Sequence, residues 1–148
     1  MLLTAFCAPS AEAGPIYIED SSSGVNSNPC TLPCYADNLG DPGSWTAATV
    51  GSSTTYTYTG NVFTTAYAPF TLANSVSGSF TITTLSPDLL DDPVTPTTFS
   101  FSDGVNTFTN TNASITEYFE VSTNASGAIT NWDIGGQTTQ AHGNGKRA

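Results

Sequence analysis

Residues 97–111 of this 148-residue chain read TTFSFSDGVNTFTNT, and the pattern of these residues indicates the fold class. Phe99 and Phe101 alternate with hydroxyl residues, so one face of an extended segment is apolar and the other is polar. Asp103-Gly104 follows, a dipeptide typical of the type I′ turn of a β-hairpin, and the chain then returns over 105–111. The stretch predicts a hairpin whose phenylalanines face a core.

The same period of two recurs in short runs on both sides of this hairpin. We predict further strands, separated by turn residues, over 15–19, 55–59, 62–67, 76–84, 118–123 and 128–134. Gly60-Asn61 predicts a hairpin turn between two of them. Apolar residues have no helical spacing, apart from a single turn around 87–92. The chain is therefore predicted to be all-β, an antiparallel β-sandwich of the jelly-roll or immunoglobulin-like kind.

The length fits one domain, which we place at residues 14–134. Residues 1–13 are interpreted as the remnant of a secretory signal peptide. Residues 135–148 lose the strand pattern and predict a disordered or truncated tail, so the sandwich is expected to be incomplete at its C-terminal end if a final hairpin is missing. Within the domain, residues 86–96 hold three Pro and three Asp and predict a long exposed crossover between sheets.

Export is predicted from the first residues of the chain. An apolar run over 2–8 precedes Ala11-Glu12-Ala13, a small-x-small cleavage pattern that would make Gly14 the new N-terminus. We therefore expect a secreted or cell-surface protein.

Cleavage before Gly14 would remove Cys7 and leave Cys30 and Cys34 as the cysteines of the mature chain. In an oxidising compartment such a pair indicates a disulfide. A zinc site is the alternative, but it needs about four ligands, and the single histidine, His142, is distant in the sequence. We favour the disulfide.

Charge is scarce and almost entirely negative. Only 9 % of residues are charged, the net charge is −10, and the basic residues are Lys146 and Arg147 alone. Proteins that bind nucleic acids neutralise phosphates with basic side chains, so DNA and RNA are excluded as partners. No segment approaches the roughly 20 apolar residues of a membrane helix, and no membrane span is expected.

The residues that could carry chemistry do not form a recognisable catalytic pattern, and we expect neither enzyme activity nor a cofactor. A serine, threonine or cysteine nucleophile needs a neighbouring base, and His142 lies in the tail. The loop carboxylates are interpreted as solvated; a weak Ca²⁺ site is the alternative if they converge. These carboxylates are Asp88, Asp91, Asp92 and Asp103.

Aromatic and threonine residues suggest two further interpretations. Trp45, Tyr56 and Tyr58 are candidates for stacking on sugar rings, although a core or rim position is the safer interpretation. Thr-x-Thr rows such as 55–59 suggest ice binding, but no internal repeat supports a regular array, and ordinary exposed strand faces explain them better.

Four segments together resemble the exported bacterial proteins that carry a PEP-CTERM-type sorting signal. They read TYTYTGNVFTTAYAPF, SVSGSFTI, TTFSFSDGVNTFTNTNA and FEVSTNASGAITNWDI, and they cover residues 55–134. The resemblance implies a β-hairpin scaffold, secretion, processing at the cell envelope and association with an exopolysaccharide matrix. The family's C-terminal Pro-Glu-Pro motif, apolar helix and basic cluster have no counterpart in the final residues HGNGKRA, which predicts either a truncated sequence or release without an anchor.

The first hypothesis for function is a non-enzymatic secreted protein of the cell surface or exopolysaccharide matrix, with extracellular polysaccharide as its partner. Two alternatives remain open: a carbohydrate-binding module, and a fragment of a larger secreted hydrolase.

Overall fold

A computed structural model describes residues 16–19, 25–27, 36–38 and 43–138. Within them the chain forms twelve β-strands and no helix, so no helix in this part of the chain could cross a membrane. The strands are β1 (Ile16–Glu19), β2 (Val25–Ser27), β3 (Ala36–Asn38), β4 (Ser44–Val50), β5 (Ser53–Val62), β6 (Thr65–Ala66), β7 (Ser75–Thr83), β8 (Asp92–Pro93), β9 (Thr98–Ser102), β10 (Thr107–Thr109), β11 (Ala113–Thr123) and β12 (Ile129–Thr138).

The strands form two antiparallel sheets, and the predicted β-sandwich is confirmed. The smaller sheet has five strands in the order β10-β9-β7-β5-β4, and the larger has seven in the order β6-β3-β2-β1-β12-β11-β8. Aromatic side chains from both sheets fill the core between them. The buried apolar residues are Tyr56, Tyr58, Phe63, Phe70, Val76, Phe80, Leu85, Phe99, Phe101, Phe108, Phe119, Val121, Trp132 and Ile134.

The alternation in the central hairpin produces the predicted faces. Phe99 and Phe101 are buried in β9, and Ser100 between them is exposed. Phe101 lies opposite Gly78 of the neighbouring strand β7. A Cβ atom at position 78 would collide with the Phe101 ring, so the glycine leaves the space that this ring occupies.

The loop of this hairpin differs from the predicted two-residue turn. Ser102 pairs with Thr107, which leaves a loop of residues 103–106, and the return strand β10 is short. Gly104 has φ +86°, and Asp103 before it has no positive φ, whereas a type I′ turn needs positive φ at both central residues. The Asp103 carboxylate accepts the loop's N–H groups instead, so a side chain organises this turn.

The hairpin predicted at Gly60-Asn61 does not form. Strand β5 continues through both residues, with a register irregularity against β7 between Thr59 and Val62. A Cβ atom at position 60 would lie 2.5 Å from the backbone oxygen of Val76. This glycine therefore permits a close approach of two strands and does not form a turn.

Strand β12 extends to Thr138, beyond the predicted domain boundary at Ile134. Its backbone pairs on both sides there: Gly136 lies opposite Ile16 of β1 and Thr116 of β11. The hydrophobic alternation stops earlier because two glycines carry no side chains, but backbone pairing does not need them. Residues 139–148 lie outside the described part of the chain.

Residues 86–96 are largely exposed as predicted, but they do not lead from one sheet to the other: they link β7 and β9, which are neighbours in the smaller sheet. This segment contributes β8 to the edge of the larger sheet, beside β11. Most of its residues are exposed, but Leu89 and Val94 pack against the core and attach it. The single helical turn predicted around 87–92 is not formed.

Candidate functional site

Serine and threonine make up most of the outer face of the five-stranded sheet, with Ala48 and Val50 of β4 beside them. We call this surface the hydroxyl face; every one of its residues is exposed or half-buried, and each points away from the aromatic core because its strand neighbours point inward. It comprises Ser44, Thr46, Ser53, Thr55, Thr57, Thr59, Ser77, Ser79, Thr81, Thr83, Thr98, Ser100, Ser102, Thr107 and Thr109.

Strand register arranges these hydroxyl groups in rows that cross the sheet. One row passes through all five strands, from Thr46 through Thr57, Ser79 and Ser100 to Thr109. Pleated-sheet geometry sets the grid at about 4.8 Å between strands and roughly 6.6 Å along each strand. The result is a regular two-dimensional array of groups that both donate and accept hydrogen bonds.

Some of these hydroxyl groups are held in place by neighbours. Thr55 Oγ1 and Thr81 Oγ1 lie 2.9 Å apart across β5 and β7, and the two hydroxyl groups share a hydrogen bond. At the end of β9, Ser102 Oγ donates to the carbonyl of Asn106 at 2.8 Å. These contacts fix side-chain rotamers at the surface.

Charge is separated between the two sheets. The five strands of the smaller sheet contain no charged residue. In the larger sheet, Glu120 lies opposite Asp133, and Asp133 lies opposite Glu19 in the register of β1 and β12. The hydroxyl face is therefore a neutral surface on a strongly acidic protein.

The loop carboxylates do not converge as the calcium alternative required. Asp91 Oδ1 accepts hydrogen bonds from Ser122 Oγ at 2.8 Å and from Asn131 Nδ2 at 3.2 Å, which attaches the segment 86–96 to the larger sheet. Asp103 is fully buried in the hairpin loop and accepts the N–H groups of Val105 and Asn106 at 2.9 and 2.6 Å. Among the described residues, no group of three or more Asp, Glu, His or Cys could hold a metal ion.

The aromatic residues considered for glycan stacking lie in the core or at its rim, as the preferred interpretation expected, and the alternative of stacking on sugar rings is wrong for the buried Tyr56 and Tyr58. Tyr56 is 3 % exposed and stacks on Phe80, with ring centroids 5.1 Å apart. Tyr58 is 1 % exposed and contacts Trp132. Trp45 is half-buried and packs edge-on against Trp132 at 5.5 Å, despite the turn that precedes it. The alternation with threonine turns the tyrosines inward and brings the threonines to the surface.

Cys30, Cys34, Ala11, Ala13 and Gly14 all lie outside the described residues. The disulfide and the cleavage site therefore stay predictions.

Sequence reasoning noticed the threonine rows but treated them as ordinary strand faces. It missed that none of the five strands crossed by these rows contains a charged residue. Comparison of the chain with known protein families, curated proteins and solved structures finds no match, so the hydroxyl face is interpreted from its own chemistry.

Proposed function

We propose that this chain is a non-enzymatic, exported domain of the cell surface or exopolysaccharide matrix, and that its hydroxyl face contacts neutral polysaccharide. The observation that carries the proposal is the uncharged array of serine and threonine across five strands. The resemblance of residues 55–134 to exported bacterial proteins associated with such a matrix supports the same location and partner.

The chemistry of the face suits a sugar polymer. A hydroxyl side chain donates one hydrogen bond and accepts others, and the hydroxyl groups of a sugar do the same. Ordered water can bridge the two arrays at little free-energy cost. Removing hydroxyl groups from water costs far less free energy than removing charged groups, so a neutral chain can lie against this sheet.

The face is also ordered before it binds. Threonine is stiff at χ1 because it branches at Cβ, and strand pairing fixes the backbone beneath it. Lysine or glutamate would lose much more side-chain entropy on contact. Many weak hydrogen bonds can therefore contribute to binding without a large ordering cost.

The rest of the molecule favours neutral over acidic partners. With a net charge of −10, the protein repels polyanions at distances within the Debye length, about 8 Å at physiological salt. The acidic row on the larger sheet adds to this repulsion. We expect neutral glucans and galactans to bind better than alginate or hyaluronate.

Affinity electrophoresis of the purified full chain through gels containing each polysaccharide would test the proposal. The variant Thr57→Lys/Ser100→Lys places two long charged side chains in the central row of the hydroxyl face and should weaken binding to a neutral polysaccharide at least about tenfold, equivalent to about 1.4 kcal/mol. Lysine is chosen because it lowers the net negative charge, so added repulsion cannot explain the loss.

The matched control is Thr95→Lys/Thr130→Lys, which places the same charges at exposed threonines outside the hydroxyl face. It should bind as the unchanged protein does. Equal loss of binding in both variants would contradict the proposal. Retardation of the wild-type protein only in gels that contain acidic polysaccharides would contradict it as well. Release of reducing sugar would instead favour the alternative of a hydrolase fragment.

A further inference from the structure

We propose that strand β4 pairs antiparallel with β4 of a second copy of this chain, so that two five-stranded sheets join edge to edge. Among the strands that the structure describes, β4 is the last of the smaller sheet, and it pairs there with β5 alone. The inference concerns self-association and is independent of any polysaccharide.

Strand β4 lacks the features that normally block pairing at a sheet edge. All seven of its residues pair with β5 in one continuous register, without the bulge that would twist the edge away. Its sequence, SWTAATV, contains no charged residue and no proline, and six of the seven residues are exposed. Natural proteins protect such edges with lysine, proline or bulges, and none of these is present in β4.

The opposite edge of the same sheet is protected. Strand β10 has only three residues, and the side chain of Asn112 covers its free side. Asn112 Oδ1 accepts the N–H of Thr109 at 2.7 Å, and Asn112 Nδ2 donates to the carbonyl of Thr107 at 2.8 Å. One side chain therefore satisfies backbone groups that another strand would need. Within the described residues, the contrast indicates that the β4 edge is open for pairing and the β10 edge is closed.

Charge and symmetry favour a second copy as the occupant. Two chains of net charge −10 repel each other least where neither presents charge, and the β4 edge belongs to the uncharged sheet. An antiparallel strand pair is self-complementary under a twofold axis, as a closed dimer requires. Full overlap places the axis beside Ala47, the middle residue. Thr46 of one copy then lies opposite Ala48 of the other.

Pairing would also cover exposed apolar surface. Val50, the last residue of the strand, is 82 % exposed, and in the centred register it lies opposite Ser44 of the second copy. Main-chain hydrogen bonds supply most of the affinity in strand addition. The two hydroxyl faces then lie on one continuous sheet.

Sedimentation equilibrium of the full chain, without any polysaccharide, would test the dimer and its register. Wild-type protein should show a concentration-dependent dimer. Thr46→Lys/Ala48→Lys puts like charges directly opposite each other across the interface and should raise the dissociation constant at least tenfold. Thr46→Lys/Ala48→Glu puts opposite charges there and should restore the dimer. All three changes are at exposed positions, and circular dichroism would verify the fold.

The matched control, Thr98→Lys/Ser100→Lys, places two lysines on the interior strand β9 of the same face and should leave the dimer intact. A wild-type chain that is monomeric at every concentration would overturn the proposal. A dimer that resists Thr46→Lys/Ala48→Lys, that fails to recover with Thr46→Lys/Ala48→Glu, or that the control dissociates equally would also overturn it. Loss of polysaccharide binding alone would affect only the proposed function.

Discussion

Replacing Phe101 with alanine should be among the most destabilising single changes in this domain. The side chain has no exposed surface. The centroid of its ring lies 6.3 Å from the ring centroids of Trp45 and Trp132 and 6.2 Å from that of Phe119. The ring also fills the space above Gly78. The alanine variant would leave a cavity that both sheets line.

The expected loss in the free energy of unfolding is about 3–5 kcal/mol, from lost burial and from the cavity. We expect the upper part of this range because the position beneath the ring is a glycine, which has no side chain that could move into the space. Domains are typically stable by about 5–15 kcal/mol. With a urea m-value of about 1–3 kcal/mol per molar, the unfolding midpoint should fall by at least about 1 M.

Urea denaturation followed by tryptophan fluorescence would measure the loss. Ser100→Ala, on the exposed face of the same strand, is the matched control and should change stability by no more than about 0.5 kcal/mol. Gly78→Ala should cost less in the Phe101→Ala background than in wild-type protein, because the ring that its Cβ would strike is gone. A Phe101→Ala loss below about 1 kcal/mol, or an equal loss for Ser100→Ala, would refute the two-faced description of β9.

Three further predictions concern the hairpin loop and the N-terminal region. Gly104→Val should destabilise the fold by about 1–3 kcal/mol in the same urea assay, because φ is +86° there and a Cβ would lie 2.5 Å from Asn74 Nδ2. Unchanged stability would show that the loop rearranges freely. Asp103→Ala should cost about 1–3 kcal/mol, because it leaves the N–H groups of the loop without their acceptor, whereas Asp103→Asn should cost less because it keeps a carbonyl acceptor. Protein purified without reductant should be two hydrogens lighter than its reduced form if Cys30 and Cys34 are bridged, and free thiols on both would contradict the pairing.

The sandwich could be predicted from sequence because strand faces are a local property. Alternation of Phe99 and Phe101 with serine indicates which side of β9 is buried, whatever strand lies beside it. The same holds for Tyr56 and Tyr58 in β5. Where the residue pattern of one segment alone determines which side chains are buried, the prediction from the sequence was correct.

Glycine positions were misread because their meaning depends on distant residues. Gly60-Asn61 has the sequence of a turn, but the backbone of β7 approaches it closely, and that proximity depends on the tertiary fold. The boundary at Ile134 was placed too early for a related reason. Pairing of Gly136 with two strands is a property of the sheet, and glycine gives no hydrophobic signal of it.

The hydroxyl face likewise combines features that the sequence shows directly with features that depend on the tertiary fold. Individual Thr-x-Thr rows are visible in the sequence, and each alone is an ordinary exposed strand face. Their significance comes from register, which aligns residues as distant as Thr46 and Thr109 in one row.

The two edges of the smaller sheet determine how far the proposed self-association can proceed. Joining β4 to β4 of a second copy uses the open edge of both sheets, so the combined sheet ends in β10 on either side. In each copy, the Asn112 side chain hydrogen-bonds to backbone groups on the free side of β10. A further strand therefore cannot pair readily with that edge. The negative charge of the larger sheet also opposes stacking of dimers. The proposed association therefore stops at a dimer, and the hydroxyl faces of both copies stay exposed to solvent.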